Sequence, residues 1–145
     1  MPTIFTIGFT KKSLQEFIGL LRGAGVRVVA DIRLRNTSQL AGWSKQPDFA
    51  FLLEQGFGIA YEHHPEFAPT GEVLDAYKKD RDWPALERSF KELLAARSPE
   101  SEGRALLATE GVCLLCTETA PQKCHRSLVA EYLVGLDHDL RIVHL

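Results

Sequence analysis

Short runs of β-branched and apolar residues alternate along this chain with longer stretches whose apolar positions recur every three to four residues. No other feature limits the possible folds as strongly, because the two periods belong to strands and helices in alternation. Residues 3–7 form the first apolar run, closed by Gly8. Residues 26–32 are nearly all apolar and residues 112–115 entirely so, the pattern of strands covered on both faces. Shorter runs at 58–62 and 140–144 complete a set of five.

The intervening stretches carry helix signals. Ser13 and Glu16 make a capping box ahead of the stripe Leu14, Phe17, Ile18, Leu21. Residues 48–55 and 72–80 read as helices. Asp82 caps another, with Pro84 in its first turn and Leu86, Phe90, Leu93 and Leu94 on its buried side. Residues 98–103 read as a surface loop. A turn at Pro121 introduces a last helix with Leu128, Val129, Tyr132 and Leu133 on one face. No tight hairpin signal separates the strands. The expected architecture is α/β: a single three-layer domain over residues 1–145, with a mostly parallel five-stranded sheet flanked by helices.

Charge narrows the partners. Lys plus Arg number 17 and Asp plus Glu 19, giving a net charge of -2. That balance makes nucleic acid an unlikely partner, although a local basic pocket is compatible with it. No stretch approaches the roughly 20 apolar residues that span a bilayer, so no membrane partner is expected. The first residues have no basic region or cleavage-site pattern. The three cysteines lack the spacing of a secreted framework, so reduced thiols in a cytoplasmic protein are expected.

In an open parallel sheet, ligands bind beyond the carboxyl ends of the strands. Gly8 and Thr10 follow the first strand, and Asp31 and Arg33 end the second. Tyr61, His63 and His64 follow the third. Cys116 and Glu118, then Cys124, His125 and Arg126, follow the fourth. Four strands therefore deliver hydrogen-bonding or titratable groups to one edge.

Cys113 and Cys116 resemble a metal or redox hook, yet residues three apart on a strand point to opposite faces. Cys113 is then a core residue and Cys116 stands at the strand's mouth. Cys124 is expected in the first helical turn after Pro121, where free N–H groups, the helix dipole and Arg126 should lower its pKa. Asp31 and Arg33 share a strand face, either as a mutual ion pair or as a base and an anion clamp. Lys78 and Lys79 read as a solvated face.

Taken together, these segments resemble a known family. Thr6-Ile7-Gly8, Asp31-Ile32-Arg33, Tyr61 through Glu66, and Leu-Cys-x-Glu-x-x-Pro-x-x-Cys-His-Arg ending at Arg126 look like DUF488, a domain of unknown function. The resemblance covers nearly the whole chain in order. It departs at Phe9, where many members have histidine, and at Ala68-Pro69, where many have paired glycines. It implies the fold and a pocket, and no settled reaction.

The leading expectation is an enzyme acting on an anionic small molecule, a nucleotide or other phosphorylated metabolite. Cys124 or Cys116 would be the nucleophile, His125 or His63 the base with Asp31 orienting it, and Arg33 and Arg126 the anion clamp. Gly8, Thr10, Tyr61 and Glu118 would complete the substrate contacts. No Cys-x5-Arg loop, P-loop or dinucleotide fingerprint occurs, and no cofactor is indicated. The alternatives are a non-catalytic ligand- or nucleic-acid-binding regulatory module, and a Cys/His metal or thiol-sensor site. Cys116 and Cys124 stand eight positions apart, which is not the spacing of a zinc ribbon, and no metal is assigned from sequence.

Overall fold

The computed structural model describes residues 2–37, 39–117 and 124–145. Glu118 and the turn at Pro121 lie outside the described residues. Five strands, β1 (Thr3–Gly8), β2 (Val28–Asp31), β3 (Ala60–His63), β4 (Val112–Cys116) and β5 (Arg141–His144), form one sheet in the order β3-β2-β4-β1-β5. Every pairing is parallel. The apolar runs 26–32 and 112–115 supply β2 and the central β4, and every residue of both strands is buried. Edge strands β3 and β5 have no buried residue.

Strand alternation sorts the core into two layers. Val112 and Leu114 face one side with Ile4, Val28 and Ala30; Cys113 and Leu115 face the other with Ile7 and Val29. Helix α1 (Leu14–Gly23) and the short α2 (Asp48–Phe51) cover the second side through Phe17, Leu21 and Phe49. The opposite side is covered by α4 (Trp83–Arg97), α5 (Glu100–Ala108) and α6 (His125–Leu136), with α3 (Gly71–Asp80) packed on α4.

The capping signals are realised. Ser13 Oγ accepts from Glu16 N at 3.1 Å and donates to Glu16 Oε1, while Asp82 Oδ1 accepts from Ala85 N at 3.1 Å. The segment 48–55 is α-helical only to Phe51, and Leu52–Gly56 widens into a π-type turn.

One expectation is corrected. The supposed loop 98–103 ends in α5, which begins at Glu100. A Cβ at Gly103 would lie 2.7 Å from Leu136 Cδ1. The glycine is thus what lets α5 approach α6, and helix–helix packing overrides propensity.

Gly111 sets the entry to β4. Its φ is +75°, and an added Cβ would meet Arg27 N at 2.9 Å and Gly25 O at 3.0 Å. Its carbonyl accepts from Arg27 N and Val28 N, which fixes β2 against β4. Gly111→Ala is expected to lower stability by more than about 1 kcal/mol, read as a fall in the urea midpoint at unchanged m-value.

Candidate functional site

The sheet order reverses around β4. The chain runs from β1 past that position to β2 and β3, then returns to insert β4 between β2 and β1. A cavity of about 270 Å³ opens beyond the carboxyl ends of β2 and β4, where such a crevice belongs. Cys116, Cys124 and His125 lie among its lining residues as a floor. Leu74, Tyr77, Trp83 and Leu86 from α3 and α4 form an apolar wall.

Cys116 is the last residue of β4 and falls on the α4–α6 side by strand alternation, while Cys113 is fully buried on the α1 side. Burial pushes the Cys113 thiol well up from its ordinary pKa. Cys124 is the N-cap of α6, extended at φ −132° and ψ 137°, and its side chain makes no capping hydrogen bond. Cys116 beside it and then burial push its thiol pKa up, outweighing the opposing influence of His125. The lowered pKa expected at Cys124 is therefore not what its surroundings provide. The residue sits one position before the helical turn, and its sulfur faces another sulfur instead of the helix N–H groups.

His125 opens α6 and is held at both ring nitrogens. Nε2 lies 2.8 Å from the Ile32 carbonyl, which can only accept, so that nitrogen carries the proton. Nδ1 is then the lone-pair nitrogen in the neutral ring, and it faces Cys116 Sγ at 3.3 Å. The Phe90 ring meets the imidazole edge-on at 5.7 Å. One sulfur from each cysteine and a His125 ring nitrogen lie within 4.8 Å of one another.

Asp31 and Arg33 take the ion-pair alternative. Arg33 Nε and Nη2 each donate to Asp31 at 2.9 Å, in a fork 0% and 3% exposed. Burial alone would raise the Asp31 carboxyl, but hydrogen bonds and charge from Arg33, with help from Tyr61, hold it below the ordinary carboxylate value. Tyr61 donates its hydroxyl to Asp31, and burial followed by that carboxylate pushes the phenol upward. Arg33 also donates to Ser44 Oγ and the Ser44 carbonyl, and its guanidinium lies over the Phe9 ring at 5.3 Å. This group braces the end of β2. Only Arg33 of it reaches the cavity lining.

The remaining sequence candidates lie elsewhere. His63 is exposed on β3, its Nε2 2.8 Å from the Arg33 carbonyl. The Gly8 carbonyl accepts from Lys12 Nζ at 2.7 Å, and Thr10 Oγ1 donates to the Thr117 carbonyl at 2.6 Å. Arg126 is fully buried and acts electrostatically on Lys12, Cys113 and His144, away from the cavity floor. Glu118 lies outside the described residues.

Sequence reasoning missed the cationic rim. Arg35, Lys78 and Arg81 line the cavity mouth, and Lys78 is solvent-exposed there, as its place on a solvated face predicts. Arg35 pairs with Asp75 at 2.9 Å, and Arg81 lies over the Tyr77 ring at 5.4 Å. Among the described residues, no carboxylate lines the cavity. Arg97, near the end of α4, donates to the Glu66 and Ala68 carbonyls and anchors the segment leading from β3 to α3. The available signal was that Tyr77 and Lys78 lie four and three positions before Arg81, at the end of a helix with no fully buried residue.

A family model described as "Domain of unknown function DUF488" matches residues 13–133, from the cap of α1 to Leu133 of α6. The chain belongs to the DUF488 family. No curated protein and no solved structure matches it. The matched DUF488 region contains the Cys116–His125 floor, the rim and the Asp31–Arg33 brace. Phe9 lies outside it and packs with Trp43 and the Arg33 guanidinium.

Proposed function

We propose that this DUF488 protein is an enzyme acting on a small molecule that joins an anionic group to an apolar or aromatic body. Cys116 is its reactive sulfur and His125 its proton acceptor. The observation that carries this reading is the convergence of a sulfur–imidazole pair and a cationic rim on one cavity. His125 Nδ1 takes the thiol proton of Cys116, and the Ile32 carbonyl keeps the ring oriented by holding Nε2–H. Lys78 and Arg81 bind the anion at the mouth, and Tyr77 and Trp83 flank the apolar body. Phosphate esters, nucleoside monophosphates among them, have this combination of groups.

Alkylation tests the reading. Iodoacetamide at neutral pH is expected to modify Cys116 ahead of Cys113, with sites located by peptide mass spectrometry. A nucleoside monophosphate should slow modification of Cys116 more than inorganic phosphate does, because it also occupies the aromatic wall. Modification led by Cys113, or Cys116 modification indifferent to both anions, would count against the proposal.

A further inference from the structure

We infer that Cys116, Cys124 and His125 form a binding site for a soft divalent cation, Zn²⁺ foremost, and that its occupation switches off the sulfur chemistry proposed above. The inference rests on that reading for the role of Cys116 and is independent of the anion rim.

Three features carry it. The first is ligand geometry. Bonds of about 2.3 Å to sulfur and 2.0 Å to imidazole, at a tetrahedral angle, separate ligand atoms by about 3.5 to 3.8 Å. Cys116 Sγ and His125 Nδ1 stand 3.3 Å apart, and the three donor atoms fall within 4.8 Å of one another. Small side-chain adjustments therefore close a coordination shell, with no movement of β4 or α6 required.

The second is the outer partner. A metal-binding imidazole characteristically donates its other N–H to a carbonyl or carboxylate, which sets tautomer and ring direction. Ile32 O does this for His125 Nε2 at 2.8 Å, leaving Nδ1 as the ligand nitrogen.

The third is charge. Both cysteines are almost completely buried side by side, their sulfurs within 4.8 Å of each other. Two thiolates so placed require a counter-charge, and a divalent cation supplies it. Two thiols lose two protons to solvent, two sulfur–metal bonds form with one from neutral imidazole, and the charge inside the site stays at zero.

All three ligands line the cavity, so a fourth position faces it and is open to water or to an anion. With the cation bound, both sulfur lone pairs used in bonding are withdrawn from alkylation and from attack on a substrate. Cys113 lies on the other face of β4 and takes no part.

The test uses the whole chain, reduced and stripped of metal by a chelator, then titrated with Co²⁺ and, in competition, Zn²⁺. One Co²⁺ per chain is expected, with sulfur-to-cobalt charge-transfer absorption that Zn²⁺ abolishes. Cys116→Ser, Cys124→Ser and His125→Ala should each weaken binding by more than the roughly 10- to 100-fold that loss of an outer partner costs. Cys113→Ala should leave the absorption in place.

A variant that fails to fold is replaced by a measurement on the unaltered chain. Zn²⁺ should protect Cys116 and Cys124, and not Cys113, from iodoacetamide. Absent charge-transfer absorption, or equal protection of all three thiols, overturns the inference. If no cation binds while Cys116 alkylates and anions protect it, the cation site fails and the proposed function stands. If the cation binds but metal-free Cys116 is inert, the cation site stands and the sulfur chemistry fails.

Discussion

Asp31→Asn is expected to destabilise the protein by about 3 to 5 kcal/mol, the cost of removing one partner from a buried ion pair. The substitution preserves shape while leaving the Arg33 guanidinium, 3% exposed, without its counter-charge. Tyr61 and Asn36, which also donate to the carboxylate, lose their charged acceptor at the same time. Against a typical domain stability of about 5 to 15 kcal/mol, much of the margin disappears. Urea unfolding measures the effect, and a loss below about 1 kcal/mol would show that the pair contributes little.

The same group gives a pH signature. The Asp31 carboxyl lies below its ordinary value in the folded protein. Its contribution to stability is complete above the unfolded carboxylate pKa of about 3.9, and is lost as pH falls through the lower folded value. The unaltered protein should therefore lose stability more steeply below about pH 4 than Asp31→Asn does. Parallel curves would assign the acid sensitivity to other carboxylates.

Removing Lys78 and Arg81 together is expected to weaken binding of a nucleoside monophosphate by roughly 100-fold. Each charge-assisted hydrogen bond contributes about 1.5 kcal/mol at an exposed mouth, and about 1.4 kcal/mol is tenfold. Both side chains are solvent-exposed, so the fold should tolerate Lys78→Ala with Arg81→Ala. Calorimetric titration at two salt concentrations reads the result, since screening should weaken binding to the unaltered chain more than to the variant. An unchanged affinity would move the anion away from this rim.

The strands, their burial and the opposed faces of Cys113 and Cys116 follow from short-range pattern, because side chains on a strand alternate with a period of two. Ser13 and Asp82 act as caps for the same local reason: donor and acceptor lie within one turn. The family, too, was legible in linear motifs. Tertiary structure decided which polar groups meet. Asp31 became a brace because Arg33 and Tyr61 converge on it, the latter from the neighbouring strand. Cys124 came to face Cys116, and His125 to reach Ile32 from 93 residues away, because α6 starts beside the end of β4. The cationic rim exists because α3 and α4, which follow β3 in the chain, line the cavity beyond β2 and β4, and α5 packs closely on α6 because Gly103 leaves room for Leu136. Periodicity records which way a residue points within its own element. What stands opposite it depends on the path of the chain, which no local pattern contains.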